Sequence, residues 1–131
     1  VEAWLAIPEQ GFPEILDRFS ADRKAELTVK MQDLMSLFDS LNMCKFVLYA
    51  GVTVGTLVDW LNTVTGWGFD QEELMQAGER IFSLKARFNR REGLTRTDDR
   101  LPERLRGRPI GEQFPRMLEE YYWIRGRAAE G

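Results

Sequence analysis

The sequence predicts an all-α fold, an irregular helical domain of about five helices. Leu27, Met31, Leu34, Phe38 and Leu41 recur at spacings of four and three, which places them on one stripe of a helix. Asp70 stands three residues before Glu73, the arrangement of a capping box at the head of a second long helix. No segment shows the apolar/polar alternation that a half-buried strand needs.

Taken in order, residues 1–20 read as a lead-in segment. Trp4, Leu5 and Ile7 are apolar, but Pro8 and Gly11 break any long helix. Pro13 suits a first helical turn, so 14–19 are expected to make one or two turns, and Ser20 or Asp22 can cap the helix over 24–41. Asn42 tolerates the left-handed conformation better than most residues and is expected to end that helix with a positive φ. Residues 43–49 are too apolar for exposure, and Gly51 and Gly55 bracket a turn into a second buried helix over 56–62.

Thr65-Gly66-Trp67-Gly68 is a loop. In the helix opened by Asp70, Leu74, Ala77, Gly78, Ile81, Phe82 and Phe88 mark the buried face; Gly78 allows a close helix contact and Gly93 is the stop. Residues 94–111, with Pro102, Gly107 and Pro109 among many charges, read as an ordered loop or two short turns. The last helix is expected over 112–125, with Pro115 in its first turn and Gly126 past its end.

Composition narrows the function. The 131 residues suit one domain, 1–131, and 44% apolar with 30% charged residues is the balance of a soluble globular chain. No apolar run could span a bilayer, no secretory pattern opens the chain, and one cysteine cannot form an internal disulfide, so a cytoplasmic, non-membrane protein is expected. A net charge of −3 argues against nucleic-acid binding driven by overall charge. The absence of histidine removes the commonest general base and the commonest transition-metal ligand, leaving carboxylates, Lys, Tyr and one Cys. A start at Val1 and an end at Ala128-Ala129-Glu130-Gly131 read as a fragment of something longer.

Cys44, just past a helix end, is on composition alone a small buried hydrophobe; a thiolate there is also what an iron–sulfur cluster takes, though such a cluster needs about four. Asp39 alone reads as a solvated helix-end acid. Arginines 90, 91, 96, 100, 104 and 106 are interspersed with Glu92, Asp98, Asp99 and Glu103, which suggests internal ion pairs. Tyr121 and Tyr122 read as packing aromatics, since an ordinary phenol is a poor proton donor at neutral pH.

The string Asp39-Ser40-Leu41-Asn42-Met43-Cys44-Lys45 resembles the Asp-x-x-Gly-Leu-Cys segment of the tungsten-containing aldehyde ferredoxin oxidoreductases. Lys24-Ala25-Glu26, Thr65-Gly66-Trp67, Gly78-Glu79-Arg80-Ile81, Phe88-Asn89-Arg90-Arg91-Glu92-Gly93, Asp98-Asp99-Arg100-Leu101-Pro102 and the stretch from Glu120-Tyr121-Tyr122 to Arg125-Gly126 look like the same family's C-terminal region, in the same order. The resemblance implies a C-terminal helical domain of an enzyme that oxidises aldehydes to carboxylic acids and passes electrons to ferredoxin. It implies that Asp39 contacts one pterin of a tungsten bis-pterin (molybdopterin-type) cofactor, that Met43 contributes through its backbone, and that Cys44 is one ligand of a [4Fe-4S] cluster. The implied partners are the N-terminal parts of the same enzyme, ferredoxin and an aldehyde. No cofactor is expected to stay on the isolated chain, which is expected to be inactive. Asn42 stands where the family has Gly. The competing reading is a non-catalytic helical module with Cys44 buried and the arginine-rich segment docking a protein or RNA.

Overall fold

A computed structural model describes residues 6–126; Trp4 and Leu5 of the lead-in, and the tail 127–131, lie outside the described residues. The described residues form five α-helices and no named strand: α1 Lys24–Ser40, α2 Val54–Thr65, α3 Gln71–Arg91, α4 Glu103–Arg106 and α5 Pro109–Ile124. Short 3-10 turns occupy Pro8–Gln10, Lys45–Ala50 and Arg96–Asp98. The all-α expectation holds. No described helix is long and apolar enough to cross a membrane.

Helix α1 is the centre; α3 and α5 pack on it, α2 on α3 and α4 on α5. The expected stripe is real: Leu27, Met31, Leu34 and Phe38 are buried, with Leu41 packed at the edge of the same cluster. Val29, Asp33, Ser36 and Leu37 are buried as well, because α1 is covered on more than one side. At the crossing with α3, a Cβ on Gly78 would lie 2.5 Å from the Asp33 carbonyl oxygen, so the backbones meet where only glycine fits.

Asp70 caps α3 as expected: its Oδ1 accepts from the Glu73 N–H at 2.8 Å and Glu73 Oε2 accepts from the Asp70 N–H at 3.0 Å. Gly93, at φ 89°, ends it, with the Leu94 N–H reaching back to the Asn89 carbonyl at 3.1 Å. Gly126, at φ 66°, follows α5.

Several expectations are corrected. Residues 14–19 form no helical turn, because Asp17 spends its side chain on the Phe19 N–H at 2.9 Å and its carbonyl on the Ser20 N–H at 3.2 Å. Neither Ser20 nor Asp22 caps α1. Arg23 is the residue before the helix, at φ 58°, and its guanidinium holds Glu26 at 2.9 Å and lies 4.3 Å from the Phe12 ring centroid.

Residues 43–49 are mostly exposed: Leu48 is buried and Met43 and Val47 pack at the edge of the core, while Phe46 and Tyr49 stand outside at a ring separation of 6.1 Å. Gly55 belongs to the first turn of α2, not to a preceding turn; that helix starts at Val54, capped by Thr53 and by Glu9, whose Oε2 accepts from the Val54 N–H at 2.9 Å. α2 is only half buried, with Trp60 exposed, and Phe88 of α3 faces solvent.

α5 starts at Pro109 at the head of the helix and not at 112, which moves Pro115 into the helix interior. Gly111 lies four residues before Pro115, where the ring crowds the carbonyl. The remainder of 94–111 contains the Arg96–Asp98 turn and α4.

Candidate functional site

The segment from Asp39 to Cys44 is shaped by the way α1 ends. Asn42 has φ 58°, as the sequence predicts. The Met43 N–H donates to the Phe38 carbonyl at 2.9 Å and the Asn42 N–H to the Asp39 carbonyl at 3.3 Å, the two reversed bonds of a Schellman cap. Met43 then packs, partly buried, against the core cluster.

Cys44 follows in extended conformation, φ −70° and ψ 124°, and its carbonyl accepts from the Val47 N–H at 3.1 Å. Its thiol is free and exposed. The expectation of a buried cysteine, on which the interaction-module reading leaned, is therefore overturned: the 3-10 turn that starts at Lys45 turns Leu48 rather than Cys44 toward the core. The Asp39 side chain is 75% exposed, with Lys85 Nζ of α3 at 3.8 Å. The cap thus presents a thiol and a carboxylate to the outside, with Phe46 at 64% and Tyr49 at 52% exposure on the turn that follows. Among the described residues no group of three or more His, Cys, Asp or Glu side chains could hold a metal ion, so this segment supplies at most part of a ligand set.

A second set of polar residues lies where α5 closes on α1, and the sequence reading passed over it. Arg125 is 9% exposed; its Nη1 donates to Asp33 Oδ1 at 2.7 Å, and its Nη2 donates to the Val29 carbonyl at 3.2 Å and to Gln32 Oε1 at 2.9 Å. The Tyr121 hydroxyl donates to the same Gln32 oxygen at 2.9 Å, and the guanidinium lies 4.2 Å from the Phe82 ring centroid. Burial pushes the Asp33 carboxyl above its usual pKa, against the downward pull of Arg125. The available signal was Asp33 itself, an acid four residues from Val29 and four from Leu37 on an apolar helix.

Tyr122 is buried and donates to Asp99, with the Arg96 guanidinium 4.6 Å from its ring centroid. Burial first, then the Asp99 bond, raise its pKa to about 12. The carboxylates of this loop are thus spent partly on hydroxyls and backbone: Asp98 accepts from the Thr95 N–H at 2.8 Å and from its hydroxyl at 3.1 Å.

The chain is all-helical, and the cap at the end of α1 exposes a thiol and a carboxylate. The family model for aldehyde ferredoxin oxidoreductase, domains 2 and 3, matches residues 1–131, and the chain belongs to that family. It is 31% identical to the tungsten-containing aldehyde ferredoxin oxidoreductase of Pyrococcus abyssi, 32% to that of Pyrococcus furiosus and 30% to that of Thermococcus kodakarensis. Each match covers 100% of this chain and 23% of the relative, so the chain spans about a quarter of their length, in their C-terminal part. No solved structure matches.

Proposed function

We propose that the chain is the C-terminal, cofactor-binding helical part of a tungstopterin and iron–sulfur enzyme that oxidises aldehydes to carboxylic acids in the cytoplasm, with ferredoxin as electron acceptor. The observation that carries the reading is the Asp39–Cys44 cap, which leaves the Cys44 thiol and the Asp39 carboxylate exposed in a chain that belongs to this family.

The residues fit the groups the family name implies. A thiol that will ligate a [4Fe-4S] cluster must be reachable and deprotonable, and Cys44 is exposed on a turn. A carboxylate that will receive the paired N–H donors of a pterin must present two acceptor oxygens, and Asp39 is exposed with one of its oxygens in a loose ion pair to Lys85 at 3.8 Å. Met43 offers backbone rather than side chain, because its side chain is committed to the core. When bound, the tungsten centre and cluster supply the two-electron oxidation and the path of the electrons. This chain's own part is to hold one thiolate and one carboxylate five residues apart on a capped helix end, which fixes the spacing between the two cofactors. The other ligands, the aldehyde pocket and the ferredoxin contact belong to the preceding part of the enzyme.

The test is Asp39→Asn in the full-length enzyme. Replacing an acceptor oxygen by a donor amide is expected to lower tungsten and pterin content while iron stays near the wild-type level. Unchanged tungsten and pterin would remove Asp39 from the cofactor site.

A further inference from the structure

Away from the Asp39–Cys44 cap, a cleft of about 970 Å³ opens between the N-terminal half of α1, the C-terminal half of α3, the loop that follows it, and α5. Its size lies at the upper end of the range of small-molecule sites, ~300–1,000 Å³. Ile110, Phe114, Met117 and Leu118 of α5 and Phe82 of α3 give it an apolar wall.

Its charge runs opposite to that of the chain. Arg18, Lys24, Arg90, Arg96 and Arg100 line it against only Asp98 and Asp99, although the whole chain carries −3. Both carboxylates are engaged, Asp98 with the N–H and hydroxyl of Thr95 at 2.8 and 3.1 Å and Asp99 with the Tyr122 hydroxyl. Arg96 is fixed by its stack on Tyr122. The heads of Lys24 and Arg100 make no hydrogen bond among the described residues; Arg100 feels the charge of Asp98, whose oxygens are already taken by Thr95, so both heads keep donors for an anion from outside.

We propose that this cleft binds an organic carboxylate, with its anionic head between Lys24, Arg96 and Arg100 and its apolar or aromatic body against Phe82, Phe114 and Met117. A single negative charge on an apolar body suits the site better than a phosphate dianion, because Asp98 and Asp99 share the wall with the arginines. The proposal is independent of the roles given to Asp39 and Cys44.

Phenylacetate, its uncharged amide phenylacetamide and inorganic phosphate serve as probes, titrated by equilibrium dialysis into the enzyme that carries this chain at its native length. Phenylacetate is expected to bind saturably, with phenylacetamide about tenfold weaker or worse. Lys24→Gln combined with Arg100→Gln, both side chains lacking structural hydrogen bonds, is expected to weaken phenylacetate about tenfold, whereas Asp39→Asn leaves it unchanged. Equal affinity for acid and amide, equal affinity for phosphate, no saturable binding, or an unaffected double variant would each overturn the proposal. Loss on Asp39→Asn alone would place the binding at the cofactor end and overturn it too.

Discussion

Gly78→Ala probes the α1–α3 crossing directly. The added Cβ would lie 2.5 Å from the Asp33 carbonyl oxygen, 3.0 Å from its carbon and 3.1 Å from Leu37 Cγ. Two of these three atoms belong to helical backbone and cannot rotate away, so the helices must separate. Leu34, Leu37 and Leu74 then loosen, and the Asp33 carboxyl shifts under its bond to Arg125. Overpacking of this kind costs about 1–3 kcal/mol, and the helix preference of Ala over Gly returns about 0.5–1 kcal/mol, leaving a net loss of about 1 kcal/mol. With a urea slope of about 1–3 kcal/mol/M, the midpoint should fall by roughly 0.5 M. Gly55→Ala is the milder comparison, because its Cβ would meet only side-chain ends, Gln71 Nε2 at 3.1 Å and Glu9 Oε1 at 3.2 Å, which can move while the α1–α3 crossing stays intact. Circular dichroism during urea unfolding gives both midpoints. An unchanged or raised midpoint for Gly78→Ala would refute the close-approach reasoning.

Three further outcomes follow from other parts of the structure. Asn42→Gly should be tolerated and Asn42→Val should cost about 1–2 kcal/mol in the same unfolding assay, because a β-branched residue clashes at φ 58°; equal stability of the two variants would contradict the cap. Arg125→Met should cost about 3–5 kcal/mol by stranding the buried Asp33, and a second change, Asp33→Leu, should recover much of that loss; a single variant as stable as the wild type would count against the network. Tyr122, whose pKa is raised from 10 to about 12, should ionise later than an ordinary phenol in an ultraviolet titration. Because the folded value is the higher one, its contribution to stability is complete below pH ~10 and is lost as the pH rises through about 12. Tyr122→Phe should remove the late phase, and simultaneous ionisation of all tyrosines in the folded chain would contradict its burial.

What the sequence revealed and what it hid divide by the range of the interaction. Asp70 with Glu73, Gly93 after α3 and Asn42 after α1 are local signals, each fixed by backbone chemistry within a few residues, and each was legible. The Leu27–Phe38 stripe was legible for the same reason. Residues 43–49 misled because apolar composition does not reveal a 3-10 turn, which here brings Val47 and Leu48 to the core and leaves Phe46 and Tyr49 outside. The pairing of Arg125 with Asp33 spans 92 residues and has no local signature beyond an acid on an apolar face. The start of α5 was misplaced because Pro109 and Pro115 both suit a helix head, and only the packing of Gly111 against the carbonyls of Leu105 and Arg106 decides between them. At the site, the resemblance alone marked Asp39, Met43 and Cys44; the exposure of the Cys44 thiol contradicted the bland reading of a packed cysteine.

The most direct test of the role given to Cys44 is electron paramagnetic resonance of the reduced full-length enzyme carrying Cys44→Ala, read beside its iron content. Loss of one of about four thiolate ligands should abolish the four-iron signal or convert it to that of a smaller cluster, and ferredoxin-linked aldehyde oxidation should stop with it. An intact four-iron signal with normal turnover would return Cys44 to an exposed surface thiol and contradict the account.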